Sequence, residues 1–198
     1  MNKIFFPALL CCALLLPSCL PRSPETHYYI LNPQPEVTEL QARQESKIPV
    51  QLRRITLPEY LDRSGIVNRR DDGVSLDVTE VHVWGEPLKD GVRRSLTETL
   101  APRLASTAFA LENPDEQNAR MVISVDILRF EGVMPGKALL DARFSIEHEG
   151  KGLLVRENRV FTEPAGESVV ALVQAQSRLL RRLGDAIADA LMTLQAGK

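Results

Sequence analysis

The sequence predicts an α+β fold: a single domain in which a largely antiparallel sheet has two helices packed on one face. Three observations support this prediction. Alternating apolar residues indicate several strands, and apolar residues at three- and four-residue spacing indicate two amphipathic helices. Short turn sequences join neighbouring strands directly, which antiparallel pairing allows and parallel pairing does not. The sheet face without helices is expected to meet solvent or a partner.

The beginning of the domain is predicted to be strand and loop. Residues 27–31 (HYYIL) favour a short strand through their aromatic and β-branched content, and the Pro-interrupted residues 32–47 favour a surface loop. From Ile48 onwards, apolar residues at positions 48, 50 and 52 alternate with polar ones. This alternation predicts a half-buried strand.

A turn and a hairpin are predicted next. In residues 57–65, Pro58 suits the start of a helical turn, and Gly65 suits its end because glycine adopts the left-handed conformation without strain. Residues 66–78 contain two strand-like runs on either side of Asp72-Gly73. This dipeptide is typical of hairpin turns.

The first helix is predicted to open at Trp84-Gly85-Glu86-Pro87, because proline is favoured in a first helical turn. Pro102 is expected to end or kink this helix. Its apolar stripe consists of Leu88, Val92, Leu96 and Leu100.

Three long strands and a second helix complete the domain. The strands are predicted at residues 121–130, 139–148 and 153–162, with a turn over residues 148–152. The second helix is predicted over residues 168–194. Its stripe consists of Val169, Val173, Leu180, Leu183, Ile187, Leu191 and Leu194. We expect the stripe to pack against the sheet, and a seam for a partner helix is the alternative.

The N-terminus has the layout of a lipoprotein signal. Lys3 precedes an uncharged segment of 13 residues, shorter than the roughly 20 that a helix needs to cross a bilayer. The sequence Leu16-Pro17-Ser18-Cys19 then resembles the bacterial lipobox, with Pro17 as a departure from the small residue usual there. In such proteins the signal is cleaved before the cysteine, whose thiol carries a diacylglycerol. The alternative is an ordinary secretory signal that leaves Cys19 as a free thiol.

This layout predicts a signal peptide over residues 1–18, a lipidated tether over residues 19–26 and a folded domain over residues 27–198. The other two cysteines leave with the signal, so no internal disulfide is expected. Two or three acyl chains, such as palmitate, hold a protein firmly on a membrane. Leu20, directly after the lipidated cysteine, resembles the class of lipoproteins sent to the outer membrane. No cofactor is expected besides this covalent lipid on Cys19.

The charge balance gives no reason to expect nucleic-acid binding. Removing residues 1–18 takes away only Lys3 among the charged residues, which leaves 23 basic against 26 acidic residues. No strong positive field results. Aromatic residues make up 5% of the chain, too few for a platform on which bases or sugars would stack.

No enzymatic motif stands out, and we expect that the protein is not an enzyme. The sequence contains no G-x-S-x-G, no H-E-x-x-H, no C-x-x-C and no Gly-rich phosphate loop. His27, His82 and His148 lie in unrelated segments, so no metal site is predicted. Asp71 and Asp72 lie in a turn, where aspartate is favoured because it binds nearby backbone amides.

Two short motifs carry a family resemblance. The first lies in ITLPEYLDRSGIVNRRDDG and the second in VWGEPLKDGVRRSLTETLAPRL. Their residues are Leu57, Pro58, Tyr60 and Leu61, followed by Trp84, Glu86, Pro87 and Leu88. Together with the lipobox, the HYYIL segment and the long C-terminal helix, they make nearly the whole chain resemble the PqiC/YmbA-type family of ABC-transport auxiliary lipoproteins, formerly a domain of unknown function.

The resemblance implies a lipoprotein on the periplasmic face of the outer membrane, anchored through Cys19 and belonging to a lipid-transport system that supports envelope integrity. The partners it implies are a tunnel-forming MCE-domain protein and, through it, an ABC permease and its ATPase. A homo-oligomer is also expected, because tunnel proteins are often cyclic assemblies. The two motifs have two interpretations, as parts of the architecture or as a docking surface for the transporter partner.

Three other functions stay open. The first is a lipoprotein that binds lipid between sheet and helices, in a cavity lined by Leu100, Ile123, Val125 and Leu180. The second is an assembly factor for an outer-membrane protein, acting without an ABC transporter. The third is an enzyme that acts on envelope material, which would need a Ser/His/Asp group assembled from distant segments.

Overall fold

The computed structural model describes residues 24–32, 50–104, 109–110 and 121–196. Within these residues, two helices pack on one face of an eight-stranded sheet, which confirms the predicted α+β domain. The strands are β1 His27–Tyr29, β2 Val50–Thr56, β3 Gly65–Arg69, β4 Leu76–Trp84, β5 Phe109–Ala110, β6 Met121–Gly132, β7 Gly136–His148 and β8 Gly152–Gly166. The helices are α1 Leu88–Leu104 and α2 Val169–Ala196. The predicted signal peptide, most of the tether and the predicted loop after Asn32 lie outside the described residues.

The sheet is built around β6. On one side, β6 pairs antiparallel with β7, and β7 pairs antiparallel with β8. On the other side, β6 pairs in parallel first with β2 and then, near its end, with β3. From β3 the sheet continues through β4 to β1, and β5 lies beside β2. The sheet is mostly antiparallel as predicted, but β1 runs parallel to β4 and β2 runs parallel to β6.

Both predicted hairpin turns are confirmed. Between β3 and β4, Gly73 adopts a positive φ of 72°, and the Asp72 carboxylate accepts hydrogen bonds from the amides of Val74 and Ser75, each at 2.8 Å. Between β7 and β8, Gly150 adopts a φ of 80°. Residues other than glycine rarely adopt a positive φ, which explains why glycine stands at both turns.

Two local predictions were wrong, the end of the helical turn and the start of the first helix. The predicted helical turn is a single 3-10 turn over Glu59–Leu61, and Gly65 does not end it but begins β3. Glycine is required at 65 because a Cβ there would lie 2.3 Å from the carbonyl oxygen of Thr79. Trp84 does not open the first helix, since it is the last residue of β4. Pro102 lies in the last turn of α1, which ends two residues later at Leu104, and the alternative of a kink stays a prediction.

The core lies between the helices and one sheet face. The α2 stripe is buried as predicted, with its end residues Val169 and Leu194 only partly covered. The residues proposed for a lipid cavity belong to this continuous core and are each 0% exposed: Leu100, Ile123, Val125 and Leu180. These side chains pack against other core residues, which favours core over cargo cavity.

The opposite sheet face is polar and has no helix on it within the described residues. Asp126 and Arg143 are direct cross-strand neighbours there, as are Arg129 and Asp141. Thr56 donates a hydrogen bond of 2.6 Å to Asp126. Opposite charges on adjacent strands are favourable, so this central part of the face is stable in contact with water.

Candidate partner-docking site

The two sequence motifs meet at one corner of the sheet. The amide of Trp84 donates a hydrogen bond of 2.7 Å to the carbonyl of Ser64, three residues after the first motif. The next amide, of Gly85, donates to the carbonyl of Tyr29 in β1 at 2.8 Å. Backbone pairing therefore brings together the first motif, the second motif and the strand that follows the predicted tether.

The first motif wraps over the end of β6. Pro58 precedes the 3-10 turn, and the Pro58 carbonyl accepts the amide of Leu61 at 3.0 Å. Leu61 is buried in the core, while Leu57 and Tyr60 are half-buried against it. This arrangement fixes the phenol of Tyr60 above Glu131, a carboxylate buried near the end of β6.

Glu131 is 1% exposed but has four hydrogen-bond donors. Tyr60 donates to its Oε2 at 2.8 Å, as does the Phe130 amide at 2.9 Å. Arg69 and Arg129 bind its Oε1, through Nε atoms at 2.9 and 3.0 Å. A buried carboxylate is tolerated only when it is paired and hydrogen-bonded, and both conditions hold here.

The pKa values of this cluster follow from these contacts. Burial alone would raise the pKa of the Glu131 carboxyl, but the hydrogen bonds from Tyr60, Arg69 and Arg129 outweigh it and hold the pKa below its usual value. Burial, together with the hydrogen bond to Glu131, raises the pKa of Tyr60 to about 12. At neutral pH the phenol is therefore a donor to an ionised carboxylate.

Tyr60→Phe is expected to lower the free energy of unfolding by about 1–2 kcal/mol at pH 7, because a donor to a buried carboxylate is lost. The folded-state pKa of Tyr60 is raised from 10.0 to about 12. Its contribution is therefore complete below pH 10 and is lost as the pH rises through 12. Urea unfolding at pH 7, 9 and 11 measures this, and the difference from the native protein should shrink at pH 11.

The control for that variant is Tyr28→Phe, which removes a hydroxyl from a side chain that is 73% exposed and should change nothing. A Tyr60→Phe variant as stable as the native protein at pH 7 would contradict the role given to the phenol. Because phenylalanine keeps the ring, retained partner binding in this variant would assign the Tyr60 hydroxyl to the architecture rather than to docking.

The second motif joins β4, α1 and β1. Trp84 and Leu88 are buried in the core. Glu86, just before α1, forms an ion pair of 2.5 Å with Arg94, which lies eight residues later on that helix. The same Arg94 guanidinium donates to the carbonyl of Leu31 at 2.8 Å. The motif glutamate thus holds an arginine that binds the main chain just after β1.

Two further contacts fasten the segment after β1. The Leu31 side chain is 1% exposed and enters the core. The amide of Asn32 donates to the Ser177 hydroxyl of α2 at 3.0 Å. A strand of three residues is too short to be stable by pairing alone, so these contacts with both helices hold it in place.

Arg94→Ala is expected to loosen this segment without unfolding the domain. Losing the bond to the Leu31 carbonyl should cost about 1–2 kcal/mol locally, so amide hydrogen exchange in residues 27–32 should become about five to thirty times faster. Hydrogen exchange with peptide-level mass spectrometry measures this. Arg103→Ala is the matched control, because Arg103 also lies on α1 but pairs with Asp185 and Asp189 on α2. Equal effects of the two variants on residues 27–32 would contradict the role given to the contact between Arg94 and the Leu31 carbonyl.

The structure divides the predicted docking residues by accessibility. Leu61, Trp84 and Leu88 are buried and serve the architecture. Pro87 is exposed. The others are partly exposed: Leu57, Pro58, Tyr60 and Glu86. Docking by the accessible residues stays a prediction, and the predicted lipidation site Cys19 lies outside the described residues.

Sequence reasoning missed Glu131 and Arg94, the two residues that organise the motifs. A signal for Glu131 existed, because a glutamate within the long strand run MVISVDILRFEGV interrupts an apolar stretch near a predicted strand end. Nothing local marks Arg94, since arginine on an exposed helix face is common.

The described residues contain no group of His, Cys, Asp or Glu side chains placed to hold a metal ion. Across the same part of the chain, no helix has the length and apolar character needed to cross a membrane. Two histidines from separate segments of the sequence lie together: the rings of His27 and His82 stack with centroids 5.3 Å apart, and Tyr29 hydrogen-bonds His82. This group holds β1 against β4.

Two solved structures are similar in fold. One, a crystal structure of an uncharacterized protein, has a TM-score of 0.71 at 16% identity and covers 85% of this chain and 99% of that chain. The other, a DUF330-family protein of Xanthomonas campestris, has a TM-score of 0.67 at 14% identity and covers 88% of this chain and 98% of that one. At these identities the likeness concerns the fold alone. No curated protein sequence matches the chain.

A family model described as "ABC-type transport auxiliary lipoprotein component" matches residues 29–188. The match begins in β1, ends in α2 and includes both motifs, which confirms the resemblance inferred from them. The chain therefore belongs to the family of ABC-type transport auxiliary lipoprotein components.

Proposed function

We propose that this protein is the outer-membrane-anchored, periplasm-facing subunit of an MCE/ABC-type system that transports phospholipid between the membranes of the envelope. The observation that carries the proposal is the fastening of the segment directly after the predicted tether. Arg94 and Ser177, on different helices, bind consecutive residues of this segment, Leu31 and Asn32. These contacts fix the point at which the predicted tether joins the folded domain, so the anchor would hold the domain at a defined corner.

The length of the tether limits how far the domain reaches from the membrane. Residues 19–26 span about 29 Å when fully extended, at roughly 3.6 Å per residue. The corner that holds both motifs is attached at the end of this tether, through β1. A partner that docks at this corner would therefore be held within a few nanometres of the outer membrane, where a conduit for phospholipid must end.

The proposal gives this chain a non-catalytic role. ATP hydrolysis is assigned to the ATPase, the lipid conduit to the MCE-domain protein, and the link to the outer membrane to this lipoprotein.

The surface nearest the second motif includes two exposed apolar side chains, Tyr28 and Ile30, which are 73% and 55% exposed. A Cβ on Gly85 would lie 3.4 Å from Ile30, so these side chains border the motif directly. We assign them to the docking surface.

The test is a pull-down of the tagged, lipidated protein from gently solubilised envelopes, followed by identification of the bound proteins. An MCE-domain protein and its permease are expected with the native chain and should be reduced by Tyr28→Ser with Ile30→Ser. Val74→Ser is the matched control, because Val74 is 82% exposed at the tip of the β3–β4 hairpin.

Two other outcomes would replace the proposal. Recovery of a β-barrel protein without any transporter component would favour the assembly factor. Recovery of the lipoprotein alone, with phospholipid bound in a fixed ratio, would favour the lipid-binding module.

A further inference from the structure

A cavity of 320 Å³ lies between α2 and the segment after β1, close to the point where the predicted tether joins the domain. Ile30 and Asn32 line it from that segment, and Gln174, Arg178 and Arg181 line it from α2. Its volume is near the lower end of the range of about 300–1,000 Å³ that is usual for ligand sites. A cavity of this size suits a polar headgroup better than a whole lipid.

The cavity is basic. The described residues that line it include two arginines and no acidic residue. Arg178 is ion-paired with Glu163 at 3.2 Å, and Arg182, one turn further along α2, pairs with the same carboxylate at 3.0 Å. Two guanidinium groups thus share one carboxylate, and Arg178 remains 50% exposed. The surplus positive charge beside the cavity attracts an anion.

The hydrogen-bond donors along α2 lie on one face of the helix. Gln174, Arg178 and Arg181 follow each other at four- and three-residue spacing, so their side chains are neighbours. A guanidinium has five N–H donors, which lets Arg178 bind a carboxylate and a phosphate at the same time. The side-chain amides of Gln174 and Asn32 add neutral donors to the cavity.

The two sides of the cavity are held at a fixed spacing. The Ser177 hydroxyl of α2 accepts the backbone amide of Asn32 at 3.0 Å and donates to the Val173 carbonyl at 2.9 Å. A ligand that bridges the two sides therefore meets donors that are already in position, which lowers the entropic cost of binding.

We propose that this cavity binds the headgroup phosphate of an anionic phospholipid in the membrane that holds the anchor. This contact rests on the anchoring through Cys19 in the proposed function, and it adds an orientation, with the basic face of α2 against the membrane. The tether over residues 19–26 spans at most about 29 Å. The cavity begins four residues later, at Ile30, and is thus within reach of the membrane surface.

Exposed apolar side chains beside the arginines favour a membrane over a free anion. Val170, one helical turn before Gln174, is 52% exposed, and Ile30 is 55% exposed. Surfaces that bind membranes combine arginines, which meet the phosphates, with apolar side chains that enter the boundary between headgroups and acyl chains. A soluble phosphate would need no apolar neighbours.

Fluorescence quenching in vesicles tests the contact. The lipidated chain is expected to have no free thiol, because Cys11 and Cys12 leave with the signal and Cys19 is blocked, so an introduced cysteine carries the only label. Labelled Gln174→Cys and Lys151→Cys variants are inserted into phosphatidylcholine vesicles that contain nitroxide-labelled headgroups, with or without phosphatidylglycerol.

With phosphatidylglycerol present, the label at position 174 should be strongly quenched and the label at position 151 should not. Lys151 precedes Glu163 by 12 residues, which is about 40 Å along β8. Without phosphatidylglycerol, the quenching at position 174 should fall. Equal quenching at both positions, or quenching at 174 that does not depend on phosphatidylglycerol, would overturn the proposal.

Arginine variants in the Gln174→Cys background test the site itself. Arg178→Gln and Arg181→Gln should each lower the equilibrium constant of the membrane contact by about fivefold, since each arginine near an anionic surface adds to the attraction. Arg159→Gln is the matched control, because Arg159 is 46% exposed and ion-paired but lies on β8. Thermal unfolding of each variant checks that it is folded. Equal losses in all three variants would overturn the proposal.

Two further outcomes separate this contact from its alternatives. Loss of quenching on adding inorganic phosphate, but not on adding sodium chloride of the same ionic strength, would assign the cavity to a soluble phosphate and overturn the membrane contact. A native protein that does not stay with either kind of vesicle, and whose Cys19 takes up the label, would instead overturn the anchoring in the proposed function, and this contact with it.

Discussion

Glu131→Ala should lower the free energy of unfolding by about 3 kcal/mol, because it removes the shared acceptor of a buried ionic cluster. The carboxylate is 1% exposed and is the shared acceptor for Tyr60, Arg69 and Arg129. Removing one partner of a buried ion pair typically costs about 3–5 kcal/mol, because the remaining charge is left unpaired. We expect the lower end of this cost because the two arginines are partly exposed, Arg69 by 19% and Arg129 by 44%. Without Glu131, their charged groups would regain part of their hydration.

Chemical denaturation at pH 7 measures this effect, and two variants make it specific. Glu131→Gln keeps the shape and the contact with Tyr60 but removes the charge, so we expect a loss of about 2 kcal/mol. Glu147→Ala is the control, since Glu147 lies on the same sheet face of β7 and is exposed, and its loss should cost little. A Glu131→Ala variant within about 0.5 kcal/mol of the native protein would show that the cluster does not stabilise the fold.

The contribution of Glu131 to the free energy of unfolding should be larger at neutral pH than in acid. Its folded-state pKa lies below the usual value of 4.5, so the carboxylate stabilises the folded protein above pH 4.5. This contribution is lost as the pH falls below 4.5 and through the folded-state pKa. The difference between the native protein and Glu131→Gln should therefore be constant from pH 6 to 8 and shrink as the pH falls below 4. A difference that grows on acidification would contradict the assigned charge state.

Cys19→Ala should transfer the whole protein from the membrane fraction to the soluble periplasm, and cells should become sensitive to envelope stress. A protein without its acyl chains loses about 0.8 kcal/mol of membrane affinity for each methylene removed, which for two chains abolishes anchoring. Fractionation of cells expressing the native and variant chains, with immunoblotting, measures the distribution. Cys11→Ala is the matched control, because Cys11 lies in the predicted signal peptide and should leave with it.

The same fractionation separates the two interpretations of the N-terminus. If the chain has an ordinary secretory signal, the native protein itself is soluble and Cys19→Ala changes nothing. Leu20→Asp adds a test of sorting, since an aspartate after the lipidated cysteine retains lipoproteins in the inner membrane of many bacteria. We expect this variant to stay membrane-bound but to move to the inner-membrane fraction.

Elements with a strong local pattern were predictable from the sequence. The apolar spacing of the α2 stripe indicates a helix with one buried face. Asp72-Gly73 between two strand-like runs indicates a hairpin turn. Predictions that depended on a single proline or glycine were weaker. Gly65 was assigned to a helix end by its permissive backbone, but the carbonyl of Thr79, across the sheet, is what excludes a side chain there.

The candidate site was predictable only in part, because its contacts join residues far apart in sequence. Tyr60 and Glu131 are 71 residues apart, and Leu31 and Arg94 are 63 apart. The motifs marked Tyr60 and Glu86 as important, but a one-dimensional pattern cannot say which residue each will contact. Pairing of β3 with β6 and contact of α1 with the residues that follow β1 bring these groups together.

The sequence by itself determined the class of the protein: the lipobox-like N-terminus, the α+β pattern and the two motifs rest on neighbouring residues and local backbone preferences. Only the tertiary structure decided how the motifs act, because burial of Glu131 and capture of the Leu31 carbonyl depend on where the sheet order places distant segments. It also decided that β8, and not another long strand, has a single neighbouring strand among the described residues. Strand order is a property of the whole packed sheet, since each strand can pair with several others of similar pattern until the core selects one arrangement.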